Sequence, residues 1–520
     1  MTDSVLSLIV WSPLVASFIV VLLPGQALNV VRMTAFVLSL VPFGLSLAML
    51  AMFDPSVGTL QLSEKVTWMP SLGVYYSLGV DGFSLWLIIL TTFLTPVILL
   101  ASWHDIEKRV KEFLFFMLLL EWGMLGALAA VDLFLFFMFW ELMLFPMAFV
   151  IGIWGGPRRR YAAVKFVLYT MAGSALMIVA MLYVVLRHAG ATGAYTFDVV
   201  SLYDTPLTYT EQVLCFAGFA LPFMIKVPMV PLHTWLPDAH TEAPTGGSVD
   251  LAGVLLKMGA YGFVRFALPM FPAAAEDAFP LIMILGVIGI VYGAMVAFPQ
   301  PDMKRLVAYS SVSHLGFVML GLYAFNMAGI TGGVLQMINH GLSTGALFIM
   351  VGYIYHRRHT RQIDEYGGLW SVVPIFSALF LVVTLSSIGL PGMNGFVGEF
   401  LILLGAFRAH PLAGGIGTLG VVLGAGYMLT MYQQVIFGPV KNAANKALVD
   451  LDWREIGAVA PIVLMFFWIG LYPDPFLSRI EPTTQVLLSR LSKAGATRYM
   501  ADAGAGSSAV ALASPGGARP

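Results

Sequence analysis

The sequence predicts an all-α polytopic membrane protein of about fourteen transmembrane helices. Three observations carry that prediction. Of its 520 residues, 59% are hydrophobic and only 11% are charged, whereas a soluble domain carries about 25% charged residues. Mean hydropathy is +0.87. Apolar runs of roughly 20 residues, the length that crosses a hydrocarbon core of about 30 Å, recur along the chain.

The runs begin near residues 4, 29, 79, 112, 131, 161, 211, 247, 278, 303, 328, 370, 412 and 456. The first lacks a basic leader, so it is expected to be a span and not a cleaved signal. The loops "HDIEKRVK", "PRRR", "KR" at 304–305 and "HRRHTR" fall on one face. About fifteen Lys/Arg lie there against about four on the other face, which makes it cytoplasmic and leaves both termini outside. The last stretch, "ADAGAGSSAVALASPGGARP", has little to bury and is expected to be disordered.

Composition also excludes functions. The balance of 27 basic against 28 acidic residues offers no basic footprint for nucleic acid. The one cysteine, Cys215, excludes an internal disulfide and an iron–sulfur cluster held by this chain alone. "GIGTLG" at 415–420 has the form of a dinucleotide fingerprint but opens an apolar span with no preceding strand, so it reads as helix-packing glycine. His233, Asp238 and His240 in "HTWLPDAH" are interrupted by a proline at a membrane edge, and no metal site is expected.

Two spans are interrupted in related ways. "IKVP" at 225–228 is echoed by "IGLP" at 388–391, where Gly389, Pro391, Gly392 and Gly395 break an apolar run. Paired interruptions point to a transporter built from inverted repeats. The expected organisation is three N-terminal spans (1–110), a first five-helix repeat of spans 4–8 (111–270), a second of spans 9–13 (271–440), span 14 (441–475) and a periplasmic, partly disordered tail (476–520).

The intramembrane charges are the candidate chemistry: Glu121, Glu141, Lys226, Lys257 and Glu399. Glu141 and Lys257 each lie about 15 Å into their spans. Each such charge costs about 2.5–3.5 kcal/mol unless paired or wetted. Burial penalises the charged form of either residue type, so both can exchange protons near neutral pH, which arginine cannot. No arginine is expected deep in the spans, which favours a proton path over an anion site. The competing reading is a set of structural ion pairs, and Glu121 has no partner apparent in the sequence. Pro228 and Pro231 free backbone carbonyls beside Lys226, tolerated only within protein or a wet cavity. Lysine and prolines therefore read as one hydrated gap, against a plain packing kink. His314 and His340 have a side chain that titrates near neutral pH and suit a relay, or serve as packing residues.

The runs "KVPMVPLHTWLPDAHTEAPTGGSVDLAGVLLKMGAYGFVR", "PDMKRLVAYSSVSHLGFVMLG" and "LPGMNGFVGEFLIL" resemble the antiporter-like subunits of proton-pumping NADH–quinone oxidoreductase, respiratory complex I. Related chains occur in Mrp-type Na⁺/H⁺ antiporters and membrane-bound hydrogenases, which supply the alternative function. The resemblance implies Glu141 and Lys226 as the ion pair of a first half-channel, Lys257 as connecting lysine and Glu399 as terminal group. Glutamate instead of lysine at 399 resembles the M-type (chain 4) branch, as does a tail too short for the long lateral helix of L-type chains. It further implies no cofactor in this chain, with FMN and iron–sulfur clusters in partner subunits. The implied partners are L-, N- and small K/J/A/H-type membrane subunits, with a quinone as acceptor, in a bacterial inner membrane.

Overall fold

The computed structural model of the chain describes residues 4–511. Among them, twelve helices are long and apolar enough to cross a membrane. In order they are α1 (Val5–Leu22), α2 (Leu28–Met52), α3 (Ser84–Ala101), α4 (Val110–Ala129), the bent pair α5 (Leu133–Leu142) and α6 (Leu144–Trp154), and α7 (Arg159–Thr192). A short helix α8 (Val199–Leu202) then leads to α9 (Tyr209–Lys226) and α10 (Trp235–Glu242). They continue with α11 (Thr245–Met270), followed by the short α12 (Pro272–Asp277), and with α13 (Phe279–Ala297), α14 (Met303–Leu322) and α15 (Met327–Arg358). After α16 (Pro374–Ser387) and α17 (Asn394–Ala409) come α18 (Pro411–Ile436) and α19 (Trp453–Leu471), then a final helix α20 (Asp474–Ala511).

Local chemistry sets several of these starts. Asp132 caps α5 by accepting from the Phe134 and Leu135 amides, and Asp302 caps α14 through Lys304 and Arg305. Thr208 with Glu211, and Asp452 with Glu455, form capping boxes on α9 and α19. Proline opens α16 and α18, where its missing N–H leaves no helix bond unmade.

The segments that begin near 211 and 370 in the sequence reading are each two short helices either side of a break, α9/α10 and α16/α17. An antiparallel hairpin of β1 (Gln61–Met69) and β2 (Val74–Val80) fills the connection between α2 and α3, where the sequence reading carried no element. The tail also differs. Composition assigned 501–520 to disorder, yet the helix runs to Ala511, and 512–520 lie outside the described residues.

Burial orders the bundle. The best apolar windows of α11 and α15 are wholly buried, while those of α2, α18 and α19 are no more than about a third buried and present Leu, Val and Phe outward. Lys257 and His340 thus ride on the two helices that lipid touches least. One expectation fails: Arg265 is buried inside α11, where the sequence reading had no deep arginine. It lies near the end of the helix and pairs with Asp81 at 2.6 Å, so its charge is neutralised locally.

Candidate functional site

Lys257 sits where α11 changes shape. Wide π-type turns occupy 251–255 and 263–267, on either side of it, and such turns mark functional positions often. The widened turn frees the Ala252 carbonyl, which accepts a hydrogen bond from Lys257 Nζ. The same ammonium lies 2.6 Å from His340 Nδ1, which accepts from it as a neutral ring. The helices reach this distance because α15 is small here: a Cβ on Gly341 would stand 2.7 Å from the Gly253 carbonyl oxygen of α11.

From His340 the line continues along α15 and across to α14. The His340 and His314 rings are 5.7 Å apart at 55°. The Nε2 atoms of both are buried without a hydrogen-bond partner. His314, Gln336, Asn339, His340, Ser343 and Ser386 are among the residues around a polar cavity of about 10 Å³ between them, roughly the space one water needs. His314 Nδ1 then stands 3.1 Å from Glu399 Oε1, which also accepts from Gln336 Nε2 at 3.1 Å. Asn339 holds Gln336 Oε1 at 3.2 Å and reaches the Asn394 carbonyl at 2.8 Å, so the amides are fixed from the start of α17.

Glu399 owes its place to the second break. Gly389 has φ +72°, and a Cβ there would lie 2.8 Å from Glu399 Oε2; Pro391 follows in the same loop. Gly389→Ala is therefore expected to strain the backbone by roughly 1–2 kcal/mol and to displace the carboxylate. A lower midpoint in thermal unfolding of the purified protein checks this; an unchanged midpoint counts against the break as the support of Glu399.

Lys226 forms a second centre. It is the last residue of α9, where a cation complements the helix C-terminus. Pro228 and Pro231 lie in the break that follows, and the Trp235 indole N–H donates to the Ile225 carbonyl at 2.9 Å. Lys226 Nζ is buried with no hydrogen-bond partner and lies 4.9 Å from the Trp140 ring and 5.8 Å from the Phe166 ring. The implied ion pair with Glu141 is not closed at 4 Å; Glu141 adjoins Trp140 at the bend of α5, with Oε1 buried and unpartnered. An aromatic cage holds the lysine instead, worth about 2 kcal/mol per ring when desolvated. Among the described residues no hydrogen bond joins Lys226 to the Lys257 line.

Glu121 is fully buried, and neither carboxylate oxygen has a hydrogen-bond partner. The sequence reading passed over Asp250, a buried carboxylate in α11 with Oδ1 unpartnered. It also passed over the amide and hydroxyl set around Glu399. That set had a signal: Gln336, Asn339, His340 and Ser343 recur at helical spacing within one apolar span. Asp238 is taken up by Lys165 at 2.7 Å, and His240 stacks on Phe348. Among the described residues no group of three His, Cys, Asp or Glu side chains stands close enough to hold a metal ion.

Residues 130–424 match the family model described as "NADH:quinone oxidoreductase/Mrp antiporter, TM". NADH-quinone oxidoreductase subunit M of Rhodobacter capsulatus is 43% identical over 520 residues, covering 96% of this chain and 100% of its own. A chain of respiratory complex I from Thermus thermophilus, solved with bound NADH, superposes with TM-score 0.85 at 33% identity, over 94% of this chain and 100% of that one. A chain of the Mrp complex from Dietzia sp. DQ12-45-1b gives TM-score 0.81 at 19% identity, over 94% and 99%, a likeness of fold alone.

Proposed function

The chain belongs to the NADH:quinone oxidoreductase/Mrp antiporter transmembrane family, beside its subunit M relatives, and we propose that it is a proton-translocating membrane-arm subunit of such an oxidoreductase. The observation that carries this reading is the buried line from Lys257 through His340 and His314 to Glu399. Every member can gain or lose a proton, and lipid is kept from all of them. We count fourteen spans, with 209–242 and 374–409 as the broken spans 7 and 12 of two inverted five-helix repeats. The basic loops set the cytoplasmic face, so both termini lie in the periplasm of a bacterial inner membrane.

The residues divide the work. Lys257 takes a proton arriving from the cytoplasmic side and hands it to His340 Nδ1, 2.6 Å away. One water in the small polar cavity carries it from His340 Nε2 to His314 Nε2. His314 passes it from Nδ1 to Glu399 Oε1, from which it leaves to the periplasm. Lys226 and Glu141 form the half-channel of the first repeat, the break after Lys226 providing its wet backbone. Flavin and iron–sulfur chemistry in the partner L-, N- and small-type assembly, with a quinone as acceptor, supplies the energy. Moving a charge against the membrane potential costs about 2.3 kcal/mol per 100 mV. A hundredfold change in proton affinity imposed on Lys257 or Glu399 supplies about 2.7 kcal/mol, so a modest electrostatic signal from the partners suffices.

Lys226→Ala tests the reading directly. NADH-driven proton uptake by inverted membrane vesicles is expected to fall several-fold in a fully assembled variant, because the aromatic cage then holds no titratable group. Glu141→Gln is expected to lower it as well, through loss of the nearby negative charge. Pumping at the wild-type rate in assembled Lys226→Ala would sink the half-channel role. Ion-gradient activity of the isolated chain would favour the Mrp-type reading instead.

A further inference from the structure

α7 is a single helix of 34 residues whose two long faces differ. Ala162, Phe166 and Thr170 face the bundle, while Val164, Leu168 and Met171 are each more than half exposed on the other side. Arg160 continues that outward row at the start of the helix, one turn before Val164. Two exposed tyrosines on the helix mark the depth. Tyr161 and Tyr183 lie about 33 Å apart along its axis, close to the hydrocarbon thickness of about 30 Å. Arg160 and Arg187 lie about 40 Å apart, which sets both at the level of the lipid headgroups.

The two ends differ in charge. At the far end Arg187 pairs with Glu211 at 3.1 Å, and the Tyr183 hydroxyl donates to the same acid at 2.6 Å. At the near end the acids are taken by other residues. Asp238 pairs with Lys165 at 2.7 Å and with Arg158 at 3.8 Å, and Glu242 pairs with Arg158 at 3.7 Å. The first turn of α7 carries no acid of its own. Arg159 donates to the Gly155 carbonyl at 3.3 Å, and among the described residues neither Arg159 nor Arg160 has an acidic partner. Both are exposed and, with Arg158 and Tyr161, line an open cleft of about 700 Å³. Two guanidinium groups without a counter-ion thus stand at phosphate depth, above an apolar row that an acyl chain can follow.

We propose that Arg159 and Arg160 bind the phosphodiester of an anionic phospholipid whose acyl chains lie along Val164, Leu168 and Met171. A guanidinium donates two parallel N–H bonds to phosphate oxygens, a geometry that an ammonium does not offer. The charge also selects the headgroup. Phosphatidylcholine brings a quaternary ammonium close to the same arginines, whereas phosphatidylglycerol brings none. Each arginine favours the anionic lipid by about fivefold, and the two together by roughly twentyfold or more. The surface is separate from the Lys257–Glu399 line. Placing it in the cytoplasmic leaflet rests on the proposed orientation; the site itself does not.

The test is photolabelling of the intact complex in phosphatidylcholine nanodiscs that contain a phosphatidylglycerol with a diazirine on one acyl chain. Peptide mapping is expected to find the label on residues 161–172 of the wild type. Unlabelled phosphatidylglycerol should suppress it, and added phosphatidylcholine should not. Inorganic phosphate that competed as well as the lipid would overturn the phospholipid as the ligand. Arg159→Gln with Arg160→Gln should lower the labelling about tenfold or more, while Arg159→Lys with Arg160→Lys should keep part of it. Quinone reduction on the same samples reports assembly. Where the glutamine variant fails to assemble, the comparison of probes in the wild type decides. A photoreactive phosphatidylcholine that labelled α7 equally would overturn the proposal, since the row would then be ordinary lipid boundary. Labelling of α7 by neither probe would overturn it as well, because a neighbouring subunit would then cover this face.

Discussion

Glu399→Gln is expected to reduce NADH-driven proton uptake by sealed inverted vesicles on the order of a hundredfold, the usual weight of one positioned proton-transfer group. Glutamine keeps the length and planarity of the side chain and can still accept from Gln336 Nε2, which now holds Oε1 at 3.1 Å. What it loses is titration. His314 Nδ1, 3.1 Å from Oε1, then faces a group that neither takes a proton nor favours the imidazolium. The packing should survive, so assembly and thermal stability are expected to change little. Glu399→Lys should retain part of the activity, because lysine also carries a proton and occupies this place in the L- and N-type chains that the sequence resembles. If the glutamine variant pumps as the wild type does, Glu399 is not the exit group, and the outlet leaves the line at His340 or His314.

Lys257→Arg is expected to be nearly as damaging, although it conserves the charge. Arginine stays protonated in proteins, so the chain would hold a fixed cation at its centre and pass nothing on. The guanidinium must also fit where an ammonium donates to the Ala252 carbonyl and to His340 Nδ1 within a wholly buried window of α11. Lys257→Ala adds a second penalty, since it leaves that carbonyl and that ring nitrogen buried and unpaired, at about 1–3 kcal/mol each. Pumping measured beside quinone reduction in assembled protein separates the two effects. An arginine variant that pumps normally would show that Lys257 acts as a fixed charge and not as a carrier.

Several parts of the site were legible in one dimension. A charge inside an apolar run announces itself, so Glu121, Glu141, Lys226, Lys257 and Glu399 all stood out, and each except the partly buried Glu141 proves to be fully buried. The breaks at 227–234 and 388–393 were legible for a similar reason: proline and positive-φ glycine act on their own backbone and need no distant partner. Asp250 escaped because it follows "TEAPTGGSV" and looks like the end of a loop. Arg265 escaped because it lies close to the other end of the same helix. The hairpin at 61–80 escaped because its strands alternate weakly and lie between strong apolar spans.

The sequence by itself thus determined the class, the breaks and which charged residues lie inside long apolar runs, since hydropathy and backbone preference are sums over neighbouring residues. Only the tertiary structure decided which of those groups meet. Lys257 and His340 are 83 residues apart, and His314 and Glu399 are 85 apart. Their contact depends on how far each helix is rotated and how closely two helices approach, which Gly341 against the Gly253 carbonyl settles for the first pair. The same dependence placed Lys226 against Trp140 and Phe166 with no closed pair to Glu141. Composition can name a charge that needs a partner, but a partner is a matter of ångströms between helices, and that distance is fixed by packing.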